Sequence, residues 1–231
     1  MKILFFMMSI FKLCNGYNIA VVGASGNLGR EIVFQAIHER KLSVLGLTSN
    51  TNTFFEPSRC DSFSNSNDKT PKFESSMLTL HNYWSHIDHD YDHLVFCTSA
   101  KPFQHDYSNT LMTKVLQSLS EQCRSVSLVS AFGVGDSLSQ GNLGIQIMNS
   151  LYLQDVYRSK NEQETMIDSI NNTNLIKLIY RPKALSFGKT ILKSLPRKDL
   201  AETILNNIEG VGTIQNKKIT FKFDWDSKWK N

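Results

Sequence analysis

The chain has 231 residues, of which 41% are hydrophobic and 20% are charged, so its length and composition are those of one sizeable globular domain. The basic residues are scattered and the formal net charge is +4, which falls short of the concentrated positive charge that nucleic-acid binding requires. The four cysteines show no C-x-x-C pair, so no disulfide framework is predicted, and Cys97 in its apolar run is expected to be a buried free thiol.

The first sixteen residues form an apolar extension ahead of the first clear motif. Lys2 precedes an apolar run over 3–11, which resembles a short signal-peptide core and is too short to span a bilayer. An extra strand or helix, or an upstream start codon, would explain the same run. We therefore divide the chain into an extension of residues 1–16 and a domain of residues 17–231. A cytoplasmic location is expected, with membrane association, organellar targeting or secretory targeting through the extension as alternatives.

Three glycines spaced Gly-x-x-Gly-x-x-Gly organise the beginning of the domain. Four apolar residues at 19–22 run into Gly23, Gly26 and Gly29, and an amphipathic helical pattern follows. The order predicts a buried strand, a tight turn, and a helix whose free N–H groups and positive dipole end favour bound phosphate. The first glycine allows the turn, the second lets a pyrophosphate approach, and the third permits close packing of the helix. The predicted dinucleotide-binding residues here are Gly23, Ser25, Gly26, Asn27, Leu28, Gly29 and Arg30.

The second predicted strand, residues 42–47, bears on which dinucleotide is bound. An Asp or Glu at its end would bond the ribose hydroxyls of NAD, but no carboxylate occurs before Glu56. This favours NADP, whose 2′-phosphate would meet Arg30 and hydroxyls such as that of Ser49. NAD is the alternative, since a site with weak discrimination would show the same pattern.

A polar stretch separates this strand from the next apolar runs. Residues 49–76 are rich in Ser, Asn and Thr and predict a solvated loop, with a third strand expected in 77–80. Aspartates are interleaved with the histidines that follow, but the spacing matches no closed set of metal ligands. A solvated polar connection and no metal site are therefore predicted for His81, His86, His89, His93 and His105.

Two further apolar runs, 94–97 and 126–129, predict strands that end at the ligand crevice of a parallel sheet. Thr98 and Ser99 follow the first run and are expected to lie near the cofactor. Ser130 follows the second, where its hydroxyl is placed either for chemistry on a substrate or for a bond to local backbone. Between the two strands a helical pattern is expected to supply core residues, namely Tyr107, Leu111, Val115, Leu116 and Leu119.

A helical pattern from residue 152 carries Tyr157, Lys160 and Glu164. Lys160 and Glu164 stand four residues apart, so one interpretation of the lysine is a surface ion pair. The other is that its ammonium reaches the cofactor ribose or a substrate oxygen. Three further elements are predicted: a buried strand over 175–180, a helix that begins at Asp199, and a half-exposed strand over 218–223.

Five blocks of sequence, at 22–30, 129–135, 160–164, 180–182 and 197–201, carry a family resemblance. The chain resembles the atypical short-chain dehydrogenases/reductases, that is the NAD(P)H-binding, NmrA-like and flavin-reductase-like proteins. The resemblance implies one α/β domain of the Rossmann type, with a doubly wound, mostly parallel sheet that holds NAD(P) across Gly23 to Arg30. It also implies that Thr98 and Ser99 line the nicotinamide side, and that Ser130 and Lys160 lie beside the ring and the ribose.

One departure from the family bears on activity. The Tyr-x-x-x-Lys pattern is absent, because Tyr157 stands three residues before Lys160; on a helix this spacing still brings both side chains to one face. The predicted function is hydride transfer to a small carbonyl, flavin or quinone-like acceptor, a small-molecule substrate, with Ser130, Lys160 and Tyr157 as catalytic candidates. The alternatives are a non-catalytic NAD(P)-binding sensor or assembly factor and, with less support from the short C-terminal portion, a sugar-nucleotide epimerase. The oligomeric state is left open.

Overall fold

The computed structural model of the chain describes residues 17–49, 51, 77–82, 89–98, 107–140, 154–182, 185–186, 195–211 and 216–220. The strands in these ranges are β1 Tyr17–Val22, β2 Val44–Thr48, β3 Leu78–Asn82, β4 Tyr91–Phe96, β5 Ser125–Val129, β6 Ile176–Arg181, β7 Leu185–Ser186, β8 Leu195–Pro196 and β9 Lys217–Thr220. The α-helices are α1 Asn27–His38, α2 Tyr107–Gln117, α3 Gln154–Asp168 and α4 Arg197–Glu209, and a 3₁₀ turn covers Gly135–Gln140.

Seven of these strands form one sheet in the order β3-β2-β1-β4-β5-β6-β9, and each neighbouring pair in it is parallel. Ala20 of β1 is in register with Leu45 of β2 on one side and with Leu94 of β4 on the other. The chain builds the sheet outward from β1 in one direction, then resumes on the opposite side with β4. A crevice therefore opens at the carboxyl ends of β1 and β4. This topology confirms the predicted doubly wound α/β fold.

Alternating strand side chains supply two apolar cores, one on each face of the sheet. Helices α1 and α4 cover the first face, where Val21 of β1 and Ile32 of α1 belong to the same buried cluster. Helices α2 and α3 cover the second face, where Val22 of β1 and Leu111 of α2 belong to the other cluster. With both faces covered, the strand ends are where polar side chains and a ligand can meet.

The strand boundaries differ from the sequence prediction where polar residues enter the sheet. β4 begins at Tyr91, so Asp92 and His93 are strand residues, whereas the pattern predicts a solvated connection there. The ring of His93 is half-buried, with Nδ1 2.8 Å from Oγ of Ser125 in β5. Because β4 has a parallel neighbour on each side, its backbone groups are paired despite the polar side chains.

The third strand lies where the sequence predicts it and extends two residues further, through Asn82. The core assignment of Tyr107 is wrong: it is 41% exposed, whereas Leu111 and Val115 are buried. Tyr107 is the first residue of α2, and a side chain there points back beyond the helix rather than onto the sheet. Outside the described residues lie the predictions for 1–16, Ser99, His86 and His105.

Within the described ranges, no group of three or more His, Cys, Asp or Glu side chains is arranged to hold a metal ion. Among the same residues, no helix has the length and apolar character needed to cross a membrane. Cys97 and Cys123 both carry free thiols.

Candidate functional site

The glycine turn joins β1 to α1 near the middle of the sheet. Gly23 has a φ of +91°, a backbone conformation that L side chains rarely adopt. Its N–H donates to the carbonyl of Leu47 in β2 at 2.9 Å, and the N–H of Gly26 donates to the carbonyl of Gly23 at 2.9 Å. The turn is thus fixed against the end of β2 before the helix begins.

The space around the glycines excludes a side chain at Gly29 and is tight at Gly23 and Gly26. A Cβ on Gly29 would lie 2.1 Å from the carbonyl oxygen of Gly23, which no folded backbone tolerates. A Cβ on Gly26 would lie 3.1 Å from the same oxygen, and one on Gly23 would lie 3.1 Å from Cγ2 of Thr98. The turn therefore lies close to the end of β4, across the point where the strand order reverses.

The amino end of α1 has the properties of an anion site. Gly26 is its N-cap residue, so no side chain caps the helix, and the first turn contains no acidic residue. The first amide with an acceptor inside the helix is that of Arg30, which donates to the carbonyl of Gly26 at 2.9 Å. The amides of Asn27, Leu28 and Gly29 have no acceptor among the residues that the structure describes. They and the positive end of the helix dipole are left for an external acceptor, and phosphate is a group that such helix ends bind.

The end of β2 presents a hydroxyl rather than a carboxylate to this turn. Oγ1 of Thr48, the last residue of β2, donates to Oγ of Ser25. Nε of Arg30 donates to the carbonyl of Ser25 at 3.0 Å, and the arginine is fully buried under the turn. Ser49, the next residue along the chain, is exposed.

Thr98 lies two residues beyond β4, opposite the glycine turn. Its carbonyl accepts a hydrogen bond from Nζ of Lys160 at 2.6 Å. Its hydroxyl oxygen is buried and has no hydrogen-bond partner among the residues that the structure describes. A buried hydroxyl of this kind is rare in folded proteins, and a polar ligand group in the crevice would satisfy it.

Lys160 extends from α3 to the ends of two neighbouring strands. Its Nζ donates to the carbonyl of Thr98 at 2.6 Å, to that of Val129 at 2.9 Å, and to Oε1 of Gln163 at 3.1 Å. Only 4% of the residue is exposed. Burial lowers the pKa of the ammonium from the ordinary 10.5 to about 8, although Cys97 and then Glu164 oppose the shift. The predicted surface ion pair is wrong, because Lys160 and Glu164 are both buried and the carboxylate of Glu164 is bonded elsewhere.

Ser130, directly after β5, belongs to a buried ionic network. Its hydroxyl donates to Oε1 of Glu164 at 2.5 Å. Arg181, the last residue of β6, donates to both oxygens of the same carboxylate, at 2.9 and 2.5 Å, and to Oδ1 of Asp136 at 2.5 Å. The bond to Glu164 raises the pKa of the Arg181 guanidinium, and the bond from Arg181 lowers the pKa of Asp136. Gly135 leaves room for this network, since a Cβ there would lie 3.0 Å from Nη2 of Arg181.

Tyr157 is half-buried on α3, one helical turn before Lys160. Burial raises the pKa of its phenol, which therefore stays protonated at neutral pH. The three hydrogen bonds of Lys160 Nζ go to Thr98, Val129 and Gln163, so Lys160 does not donate to Tyr157.

The structure brings the glycine turn to the same edge of the sheet as Thr98 and Lys160. Gln163, Glu164 and Arg181 lie at this edge too, although the sequence patterns assign them no role there. Two signals in the sequence could have located them. Arg181 follows a buried apolar strand directly, and Gln163 and Glu164 stand three and four residues after Lys160, on the same helix face.

No protein-family model and no curated protein sequence matches the chain. Solved structures do match it. A wide-type short-chain dehydrogenase/reductase from Veillonella parvula in complex with NADP has a TM-score of 0.62 at 10% identity, covering 91% of this chain and 96% of that one. A short-chain dehydrogenase/reductase from Vibrio parahaemolyticus has a TM-score of 0.59 at 11% identity, covering 88% of this chain and 98% of that one. An anaerobillin reductase from Escherichia coli O157:H7 has a TM-score of 0.56 at 14% identity, covering 87% of this chain and 95% of that one. The resemblance to short-chain dehydrogenases/reductases is thereby confirmed at the level of the fold.

Proposed function

We propose that this protein binds a nicotinamide dinucleotide across the turn of Gly23 to Arg30 and acts as an NAD(P)-dependent oxidoreductase. The observation that carries the proposal is the turn itself. An uncapped helix end without acidic residues stands beside Gly26, at the point where the strand order reverses. The diphosphate would accept hydrogen bonds from the first amides of α1. The buried hydroxyl of Thr98, which has no partner in the described part of the chain, supports a polar ligand in the same crevice.

The proposed cofactor is NADP, with NAD as the alternative. The residues at the end of β2 are Thr48 and the exposed Ser49, so no carboxylate there would repel a 2′-phosphate. Arg30, whose Nε donates to the carbonyl of Ser25, adds positive charge beneath the turn, although the residue is fully buried. A structural neighbour of this chain holds NADP, which supports the same assignment.

A bound nicotinamide would supply hydride to a small carbonyl, flavin or quinone-like acceptor. The residues of this chain would position the ring and supply the proton. Lys160 holds the ends of β4 and β5 together, and the buried hydroxyl of Thr98 has no hydrogen-bond partner among the described residues. Tyr157 is the proposed proton donor, since it carries a phenol one helical turn before Lys160 on α3. Ser130 and Lys160 act in this proposal by shaping the site.

One observation favours a second candidate, a non-catalytic dinucleotide sensor. The single hydroxyl proton of Ser130 goes to Glu164, and the three protons of Lys160 go to Thr98, Val129 and Gln163. Neither side chain has a proton left for a substrate carbonyl in this arrangement. The proposed function therefore depends on Tyr157 for proton transfer, and a sensor would not need one.

Nucleotide binding is tested by titrating NADPH and NADH into the full chain, with fluorescence as the readout. Gly26→Ala should fold, because its φ of −70° suits any residue and the 3.1 Å contact of its Cβ with the Gly23 carbonyl oxygen needs only a small shift. It should weaken NADPH binding about tenfold or more by obstructing the diphosphate. Gly210→Ala, at the far end of α4 with a φ of −84°, is the matched control and should bind as the wild type does. Absence of binding of either nucleotide at millimolar concentration would exclude both candidate functions.

Turnover distinguishes the enzyme from the sensor. Oxidation of NADPH is followed with a panel of flavins, quinones and aldehydes. The enzyme predicts steady turnover with at least one acceptor class, and a loss of about 10²-fold or more in Tyr157→Phe with aldehydes, since general acid catalysis contributes at that level. NADPH binding without turnover on any acceptor would leave the sensor as the function.

A further inference from the structure

Lys160 is a buried cation whose three hydrogen bonds all go to neutral oxygens. Two of them are the backbone carbonyls of Thr98 and Val129, and the third is the side-chain carbonyl of Gln163. A buried ammonium is costly unless its charge is compensated, so the position of the compensating negative charge matters.

A directed chain of hydrogen bonds leads from Lys160 to a carboxylate at the surface. Gln163 accepts from Lys160 through Oε1 and donates through Nε2 to Oδ1 of Asn109 on α2, at 3.0 Å. Asn109 donates in turn through Nδ2 to Oε2 of Glu162. Both carboxamide dipoles therefore point the same way, from the cation to the exposed carboxylate. Hydrogen bonds aligned in series polarise one another and strengthen the chain.

Two buried serines fix the orientation of these carboxamides. Oγ of Ser159 donates to Oδ1 of Asn109 at 2.8 Å, and Nε2 of Gln163 also donates to Oγ of Ser108 at 3.0 Å. Since the one proton of Ser159 goes to Asn109, the 3.1 Å contact between the two serines requires Ser108 to donate to Ser159. The layer between α2 and α3 is thus polar, buried and mutually bonded.

The other titratable groups facing Lys160 are already committed. The thiol of Cys97, after β4, donates to the carbonyl of Val22 at 3.1 Å. The carboxylate of Glu164 binds Arg181 and Ser130. Glu162 is therefore the carboxylate connected to the ammonium through hydrogen bonds alone.

We propose that Gln163 and Asn109, with the Glu162 carboxylate at the end of the chain, are positioning residues that hold the Lys160 ammonium across the ends of β4 and β5. Through Lys160 the α2–α3 layer sets the shape and charge of the crevice wall at Thr98. The consequence for the cofactor rests on the proposed function, because it assumes that the nicotinamide side of the dinucleotide lies at this wall. The titration of Lys160 can be followed in the protein without any ligand.

The test follows the titration of Lys160 in the full chain labelled with ¹³C-lysine, by NMR, with the signal assigned by its absence in Lys160→Met. Glu162→Gln removes a charge at the surface and keeps the acceptor, so it should fold. It should lower the pKa of Lys160 by about half a unit, and Gln163→Leu should lower it by about one unit or more. Asp155→Asn is the matched control, since it removes an exposed carboxylate of the same helix that lies outside the chain, and it should leave the titration unchanged.

A double substitution separates the hydrogen-bonded chain from direct attraction through space. If Asn109 transmits the effect, Glu162→Gln should shift the Lys160 titration in the wild type and leave it unchanged in an Asn109→Leu background. An equal shift in both backgrounds would overturn the proposal, and so would no shift in Gln163→Leu.

NADPH affinity measured against pH then tests the link to the cofactor. The proposal predicts that Kd rises as Lys160 loses its proton, and that the midpoint moves to lower pH in Gln163→Leu. If NADPH does not bind while the titration responds as expected, the proposed function fails and the positioning chain stands. If NADPH binds with the wild-type pH profile in Gln163→Leu, the positioning role toward the cofactor fails and the proposed function stands.

Discussion

Lys160 joins three elements through one nitrogen atom. Its Nζ donates to the carbonyl of Thr98, just after β4, and to that of Val129, at the end of β5. The third acceptor is Gln163 on its own helix. The geometry satisfies all three protons, yet the surroundings are poor in water, which favours the neutral amine. The side chain is therefore a strong structural contact and a group whose charge is sensitive to pH.

The pH dependence of stability should reveal this charge. The pKa of Lys160 is about 8 in the folded protein and takes its ordinary value of 10.5 when the chain unfolds. Between these pH values the unfolded state holds a proton that the native state has released. The group therefore adds stability as pH rises through this window, up to about 3 kcal/mol, and this contribution is lost as pH falls through 8.

Urea unfolding of the wild type and of Lys160→Met, at pH 7 and at pH 10, measures this effect. The free energy of unfolding of the wild type should rise relative to that of the variant between the two pH values. Taking the difference between the proteins removes the contribution of other groups that titrate in the same range. A difference that is flat, or that falls with pH, would show that Lys160 keeps its ordinary pKa.

At the scale of elements, Arg181 connects β6 with α3 and with the 3₁₀ turn. Its guanidinium binds two carboxylates in very different surroundings, since Glu164 has 4% of its side chain exposed and Asp136 has 73%. Removing a buried partner leaves a buried charge uncompensated, whereas an exposed partner is replaced by water.

Two substitutions at Arg181's partners should therefore differ in their effect on stability. Glu164→Gln should lower the free energy of unfolding by about 3 kcal/mol or more. Asp136→Asn, the matched control, should lower it by less than about 1 kcal/mol. Chemical denaturation of both variants at pH 7 supplies the comparison, and equal losses would mean that burial does not determine the strength of these ion pairs.

Elements specified by local pattern could be predicted from the sequence. The glycine turn is one, because its spacing and the apolar residues before it determine a strand, a turn and a helix within about twenty residues. The third strand is another, since its apolar run stands apart from the polar stretch before it. The start of β4 could not be predicted, because Asp92 and His93 belong to a strand only through pairing with β1 and β5.

The candidate site, too, could be predicted from the sequence only in part. Thr98 and Ser130 could be placed at one edge because parallel strands bring their carboxyl ends together, whereas Lys160, on a helix, could be placed there only through the family resemblance. Their hydrogen-bond partners could not, since each depends on contacts between residues far apart in the chain. The spacing of Lys160 and Glu164 matches that of a surface ion pair, but Arg181, from a later strand, takes the carboxylate instead.

At the scale of the whole molecule, one parallel sheet separates two cores that share no side chains. Ile32 on α1 belongs to the first core and Ile167 on α3 to the second, and both are fully buried. The strands transmit cooperativity between the faces through their backbone, so both cores should unfold in one transition.

Ile32→Val and Ile167→Val test this arrangement. Each should lower the free energy of unfolding by about 1 kcal/mol through the loss of one buried methylene. The double variant should lose the sum within about 0.5 kcal/mol, because the two sites lie on opposite faces without common partners. Urea unfolding monitored by both fluorescence and circular dichroism should give coincident curves. Curves that separate, or losses that do not add, would point to two units that unfold independently.

The sulfur atom of Cys97 gives the proposed site an unusual chemical neighbour. It lies between β4 and Thr98, donates to the carbonyl of Val22, and burial raises the pKa of its thiol to about 12. Alkylating reagents and peroxides attack the thiolate, which is almost absent at such a pKa. The protein can therefore keep a cysteine beside the proposed nucleotide site with little thiolate available for oxidation, as long as the end of β4 remains closed.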